Sequence, residues 1–348
     1  MKKSICSHKL VKKILDIEGR WPTGALITKS LNIGSDFVMA QNLQGLLRLA
    51  IQNSESAPVE VMDPKDAAWL KDALTAHTVD LSKQLTEDVR KLSSYLSSSE
   101  PDLNEMKNII EDLLTLTEDI DLSNDFLVVG GQEVLLKLLF CGPLSLRTDA
   151  LRLLGNLTQN NPKAQSLFTE NGVLARLLLL IEESKDLEFL RYLFLAISCL
   201  TRGYMPGIDT FIELDGINLL LDALIQQAET EKPENIQRLV DRGAFIIHCV
   251  LRELSPKRLP ADSTTIVDKL MNLMCRLDNP QEHLLASLTI LYPSDDSSSY
   301  AQDVHPKELY KSFFDWLKRQ SDELNKINDP ADEERRDYIN CLLKTIHL

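Results

Sequence analysis

EDLLTLTEDIDLSNDFLVVGG, residues 111–131, is matched 41 positions later by RLLGNLTQNNPKAQSLFTENG, residues 152–172, without a gap. Leu113 falls on Leu154, Leu116 on Leu157, Thr117 on Thr158 and Gly131 on Gly172. A further shift of 43 places Leu157 on Leu200, Thr158 on Thr201, Phe168 on Phe211 and Glu170 on Glu213, with one residue inserted before Gly216. An apolar run follows each glycine: VLLKLLF (134–140), VLARLLLLI (173–181) and INLLLDALI (217–225). A fourth, weaker copy starts at RLVDRGAFIIHCVL (238–251) and continues through IVDKLMNLMCRL (266–277).

Self-similarity at roughly 40–47 residues, with two or three helices per unit, is the mark of armadillo or HEAT arrays. No such unit buries its apolar face alone; stacking makes the core continuous. The spacing therefore predicts an all-α fold: an armadillo-like, right-handed α-solenoid of about four repeats with helical N- and C-terminal caps. Each unit reads as a long helix, a polar turn such as Asn160-Asn161-Pro162, a short helix, a glycine C-cap and a second long helix. In armadillo geometry the first of these lines the concave face. The expected organisation is an extension at 1–41, a short amphipathic segment at 42–58, an N-terminal helical cap at 59–100, repeats at 101–291 and a C-terminal cap at 292–348. A helix from the Asp63-Pro64 start, a second over 80–96 and a loop at 294–299 complete the reading.

Composition agrees. Of 348 residues, 63 are leucine against 13 glycines and 6% aromatics, which favours helices over barrels and sandwiches. The formal charge of −14 argues against nucleic acid as a partner, because that affinity needs clustered Lys and Arg. Residues 1–30 are net basic, so the remainder carries about −19. Apolar runs such as 177–181 and 193–200 fall short of the roughly 18 residues that span a bilayer, so no membrane association is expected. Six scattered cysteines without a CxxC spacing fit a reducing compartment, and the start lacks an apolar h-region, so a cytoplasmic location follows.

The six histidines form no HxxxH or HExxH, and GxGxxG, GxxxxGK[ST] and GxSxG are absent. No metal, cofactor or catalytic site is expected, and a thiol catalyst at Cys199 or Cys249 is disfavoured because both sit in apolar runs. What remains is a surface. Registering the copies gives columns of Glu111, Arg152 and Leu195; of Thr115, Asn156 and Cys199; and of Glu118, Gln159 and Arg202. The acidic start, EDIDLSND (118–125), gives way to Arg191, Arg202, Arg242 and Arg252 on later helices of the same face. A single charged residue there is as readily a solvated one; the graded set reads as a partner site.

LLTLTEDIDLSNDFLVVGG, LRTDALRLLGNLTQNNPKAQSLFTENG and LFLAISCLTR closely resemble the nucleotide exchange factors of the 70-kDa heat-shock chaperones, in their cytosolic heat shock protein 70-binding protein branch. The resemblance covers roughly residues 103–290, and NLQGLLRLAIQNS (42–54) is similar to the leading segment of those proteins. It implies a non-enzymatic co-chaperone whose concave face grips one lobe of the chaperone's nucleotide-binding domain, opens the cleft and speeds ADP release and client release; the sequence leaves the oligomeric state open, with a monomer as the default. The site residues it implies are Asp121, Ser123 and Asn124 in the first turn, Arg152, Gln159, Asn160 and Asn161 in the second, Arg202 in the third and Arg242 in the fourth. Glu118 and Asn156 join them from the columns, and Arg191 from the arginines on later helices of the same face. The leading segment would imitate a substrate peptide through Leu43, Leu46, Leu47 and Ile51. The sequence departs from the family at Ser123, where Ala is usual, and in an insertion around 229–234 that leaves the fourth register open. A peptide adaptor of the nuclear-import kind is the alternative; it needs Trp and Asn ladders, whereas the Asn column holds only Asn156 and all three Trp (21, 69, 316) lie outside the repeats.

Overall fold

The computed structural model describes residues 81–254, 263–277, 279, 281–291, 306–327 and 329–346. The segment with Leu43, Leu46, Leu47 and Ile51, the helix expected from residue 64 and the loop at 294–299 lie outside these residues. The described elements are helices α1 (Leu81–Tyr95), α2 (Leu103–Leu116), α3 (Ile120–Val128), α4 (Gly131–Cys141), α5 (Leu144–Thr158), α6 (Pro162–Glu170), α7 (Val173–Glu183), α8 (Leu187–Thr201), α9 (Met205–Glu213), α10 (Gly216–Thr230), α11 (Pro233–Glu253), α12 (Ser263–Cys275), α13 (Glu282–Leu291), α14 (Lys307–Ile327) and α15 (Glu333–Thr345).

They stack as a solenoid. An inner row runs α2, α5, α8, α11, α13, α15, each helix packing on the next, and an outer row runs α7, α10, α12, α14 in the same way. The short helices α3, α6 and α9 pack in sequence across the end of the rows. Both rows continue to the last described helix, so α12 to α15 extend the stack as two-helix layers. The core is one continuous leucine-rich seam, with Phe126, Phe168 and Phe211 of the three short helices fully buried at equivalent places.

Local chemistry sets the elements. Asp102, Asp119, Asn161 and Asp186 cap α2, α3, α6 and α8, accepting backbone N–H groups of the first turn. At the far end of the first three inner helices, Thr117, Thr158 and Thr201 donate to the carbonyls of Leu113, Leu154 and Ile197 at 2.8, 2.7 and 2.9 Å. This back-bond holds the hydroxyl inside a buried turn at no cost in unsatisfied polar groups.

The structure corrects the glycine register. The left-handed residue that ends each short helix is Gly130 (φ 84), Gly172 (φ 63) and Asp215 (φ 62), so Gly172 holds its expected place while Gly131 and Gly216 do not. The gap-free match breaks after Thr117, because the first turn reaches its cap Asp119 in one residue fewer than the second takes to reach Asn161. Gly131 and Gly216 serve another purpose: they open α4 and α10 against the rings of Phe126 and Phe211, and a Cβ at Gly131 would stand 2.6 Å from the ring. The insertion around 229–234 is absorbed by length, since α10 has 15 residues where α4 and α7 have 11, and α11 has 21 where α5 and α8 have 15.

Candidate functional site

The free face of the inner row carries most of the residues expected there. At its N-terminal end Glu111, Glu118 and Asp121 are exposed. Glu111 accepts from Arg152 Nη1 at 2.9 Å, and Asp149 accepts from the same nitrogen at 3.2 Å, so the first column is a physical contact. The Arg152 guanidinium lies 5.9 Å from the Tyr192 ring centre, and Arg242 lies 5.7 Å from the same ring. Arg242 also donates to the carbonyl of Arg191. Arg191 in turn donates to the carbonyl of Asn235 at 2.8 Å. A ladder of Glu111, Arg152, Tyr192 and Arg242 therefore crosses four successive inner helices.

This fixes the fourth register. Arg202, the C-cap of α8, lies 5.8 Å from the Phe245 ring, while Arg242 faces the start of α8. Arg242 thus belongs to the row of Arg152 rather than to that of Gln159 and Arg202. Arg252 is exposed near the end of α11 and 3.9 Å from Glu253.

Two expected contact residues are internal braces. Ser123 and Asn161 are 2% and 3% exposed. Ser123 Oγ donates to the Leu157 carbonyl at 3.5 Å, and Asn161 Nδ2 donates to Asn124 Oδ1 at 3.2 Å. Their side chains tie α3 to the second turn and present nothing to a partner. Asn156 is half-buried and donates to the Leu114 carbonyl at 3.2 Å, so it too links helices. Cys199, third in its column, is buried, and burial pushes its thiol up; Cys249 shifts the same way. The enclosed, protonated thiol of Cys199 is a packing group, and the raised thiol of the half-buried Cys249 is likewise a poor nucleophile.

Gln159 and Asn160 are exposed at the second turn. Asn160 adopts φ 54, and Gly203, 43 residues on, adopts φ 67 at the same place in the third turn. A left-handed backbone costs an L-residue other than Asn or Asp about 1–2 kcal/mol. Asn160→Gly is therefore expected to keep the melting temperature, while Asn160→Ala lowers it; thermal unfolding of the two variants checks this.

Residues 159–283 enclose two neighbouring clefts of about 490 Å³ each. The first is lined by Gln159, Leu195, Ser198, Arg202, Phe245 and His283 among others, the second by Glu188, Arg191, Tyr192 and Arg238, and both share Asp241 and Arg242. Tyr192, Phe245, Arg238 and His283 were not expected. Polar spacing marks a face only through its polar residues, and aromatic positions in an apolar helix read as core; the placing of Tyr192 beside Arg191 and of Phe245 near Arg242 is the usable hint.

His283 stacks on His248 with ring centres 5.3 Å apart. Burial, then His283 and Arg252, push the His248 imidazole below its ordinary 6.5, against an opposing pull from Glu282. The unfolded chain takes up a proton near pH 6.5 that the folded chain refuses, so stability falls as pH drops below 6.5 and levels off past the folded value. His248→Phe is expected to flatten that part of a plot of melting temperature against pH.

Among the described residues no cluster of three or more metal-ligating side chains occurs, and no helix is long and apolar enough to cross a membrane. The inner row shows no Trp or Asn ladder: Trp316 is buried in α14 of the outer row, donating to the Leu277 carbonyl at 3.3 Å.

Residues 123–240 match the family model of the SIL1/FES1/HPBP1 C-terminal domain. The Hsp70-binding protein 1 of Mus musculus is 30% identical over 267 residues, covering 72% of this chain and 72% of that protein. The Hsp70 nucleotide exchange factor FES1 of Candida albicans (strain SC5314 / ATCC MYA-2876) is 28% identical over 162 residues, covering 44% of this chain and 54% of its own length. Among solved structures, a designed armadillo repeat protein superposes with a TM-score of 0.53 at 15% identity, covering 76% of this chain and all of its own, a likeness of fold alone. The interrupted three-helix period, the polar second turn and the extent of the match to Hsp70-binding protein 1 lead to one conclusion: the chain belongs to the SIL1/FES1/Hsp70-binding protein 1 family.

Proposed function

We propose that this chain is a nucleotide exchange factor for a 70-kDa heat-shock chaperone, working as a monomeric, non-catalytic co-chaperone in the cytoplasm. The observation that carries the reading is the inner-row face between Glu118 and Arg252, rich in arginine, with Arg202 and Arg252 exposed and Arg152, Arg191 and Arg242 half-buried, in a member of a family that includes Hsp70-binding protein 1 and FES1. The face engages the chaperone's nucleotide-binding domain in its open-cleft state better than in its closed, ADP-loaded state. Reciprocity then requires the factor to weaken nucleotide affinity by the ratio of its two affinities. The contact residues are Glu118, Asp121, Asn124, Arg152, Gln159, Asn160, Arg191, Arg202 and Arg242, with Ser123, Asn156 and Asn161 holding the turns beneath them. The segment around Leu43, Leu46, Leu47 and Ile51 serves client release by occupying the chaperone's peptide site.

The test is release of a fluorescent ADP analogue from a cytosolic 70-kDa heat-shock chaperone, with this protein and with its Arg202→Ala, Asn160→Gly variant. Glycine is chosen at 160 because it keeps the left-handed turn. Acceleration of release that the double change removes supports the reading. No acceleration by the folded parent protein overturns it.

A further inference from the structure

We propose that the two joined clefts of the inner face form a receptor for an extended acidic peptide segment carrying an apolar residue. The proposal shares its face with the reading above but does not depend on the chaperone being the partner.

Charge is the first argument. The chain as a whole is −14, yet four guanidinium groups, those of Arg191, Arg202, Arg238 and Arg242, converge on these clefts. None of the four has a carboxylate within ion-pair distance among the described residues, whereas Arg152, Arg276 and Arg335 do. The Asp241 carboxylate, shared by both clefts, accepts from the neutral amides of Gln237 at 2.8 Å and Gln281 at 3.0 Å and keeps its charge, so with Glu188 it offsets two of the four positive charges. Glu188 stands at the exposed rim of the second cleft. The clefts therefore hold a surplus of positive charge that an external anion would neutralise.

Geometry is the second. The Phe245 and Tyr192 rings lie under Arg202 and Arg242, which restrains the long side chains; the planar fork of Arg202 is left for bidentate carboxylate contact, while Arg242, one of whose nitrogens donates to the Arg191 carbonyl, contributes its charge and its remaining donors. Arg191 Nη2 donates to the Asn235 carbonyl at 2.8 Å and its Nε is buried, so its guanidinium is fixed by its own chain at the wall of the second cleft. Leu195 and Phe245, between the arginines of the first cleft, supply an apolar seat. Because the clefts share Asp241 and Arg242, one ligand reaches both, and alternating side chains of an extended backbone deliver carboxylates and an apolar group to opposite walls. The same fork geometry accepts a phosphorylated side chain in place of a carboxylate.

The experiment is fluorescence anisotropy of the full chain with a fluorescein-labelled peptide, GEELEEFEEG, against GKKLKKFKKG and GEEGEEGEEG, with no chaperone present. The acidic, apolar peptide is expected to bind saturably and to lose about tenfold in affinity between roughly 0.05 and 0.3 M salt, as partly exposed ion pairs are screened. Neither control should match it. Arg202→Glu with Arg242→Glu should abolish binding, Arg202→Lys with Arg242→Lys should retain part of it by keeping charge without the fork, and Arg238→Glu, at an exposed position, should weaken it without disturbing packing. Circular dichroism confirms that each variant is helical. Absence of saturable binding by the parent protein, equal binding of the basic peptide, or indifference to Arg238→Glu together with the double reversal overturns the proposal. A chaperone that releases ADP faster with this protein while the peptide does not bind leaves the exchange reading intact and removes this one.

Discussion

Replacing Phe211 by alanine lowers the unfolding free energy by about 3–5 kcal/mol, the usual loss for a fully buried aromatic ring. Its side chain is wholly enclosed on α9, at the place that Phe168 fills on α6 and Phe126 on α3. It is also the surface on which Gly216 opens α10, so closely that a Cβ there would overlap the ring. Gly216→Ala alone is therefore an overpacking change, expected to cost about 1–3 kcal/mol. The two changes meet in one cavity, and together they should cost less than the sum of the single effects, because the alanine methyl enters space the ring has left. Chemical denaturation of the four proteins of this cycle measures the coupling. Additive losses would mean that Gly216 is set by something other than the ring. A solenoid transmits such damage mainly to neighbouring units, so helices α8 to α11 should exchange their amide hydrogens fastest in the variants.

The same pair explains what could be read in advance and what could not. Leucine spacing and the recurrence of Thr117, Thr158 and Thr201 made the stack legible, because apolar periodicity and a repeated back-bond are properties of local sequence. Glycine was misleading because it is selected for two reasons. Gly130 and Gly172 are needed for a left-handed backbone, and the third repeat meets the same need with Asp215; Gly131 and Gly216 are needed for closeness to a ring, where the second repeat has Val173. Aligning glycine with glycine slides the register by one residue. That slip hid the equivalence of Ser123 with Gln165, which lie 42 residues apart and do the same work. On the face itself, charged columns were legible as Glu111 with Arg152, but Tyr192 and Phe245 were not, since only the packed structure shows an aromatic side chain turned half out of the core beneath a guanidinium.

Gln165 leads to the second large effect. It is 2% exposed on α6, and its amide nitrogen donates to the carbonyls of Cys199 at 2.8 Å and Arg202 at 3.0 Å. Those carbonyls belong to the last turn of α8, where a helix runs out of its own donors. Ser123, its counterpart on α3, reaches the Leu157 carbonyl at the end of α5 in the same manner. Gln165→Leu keeps the volume and removes both bonds, stranding two acceptors at a buried helix end at a cost of about 1–3 kcal/mol. The loss is also positional. Arg202 is held at the face by its own carbonyl, so freeing that carbonyl releases the residue on which the exchange reading leans. In the ADP-release assay, well below the unfolding temperature, Gln165→Leu should therefore reduce acceleration although residue 165 touches no partner. Arg202→Ala should reduce it with little change in melting temperature, because the side chain is exposed. Combined, the two substitutions should lower the rate no further than Arg202→Ala alone, since one acts only through the other. A double variant that loses activity additively would show that Gln165 supports the face by some route other than the placement of Arg202.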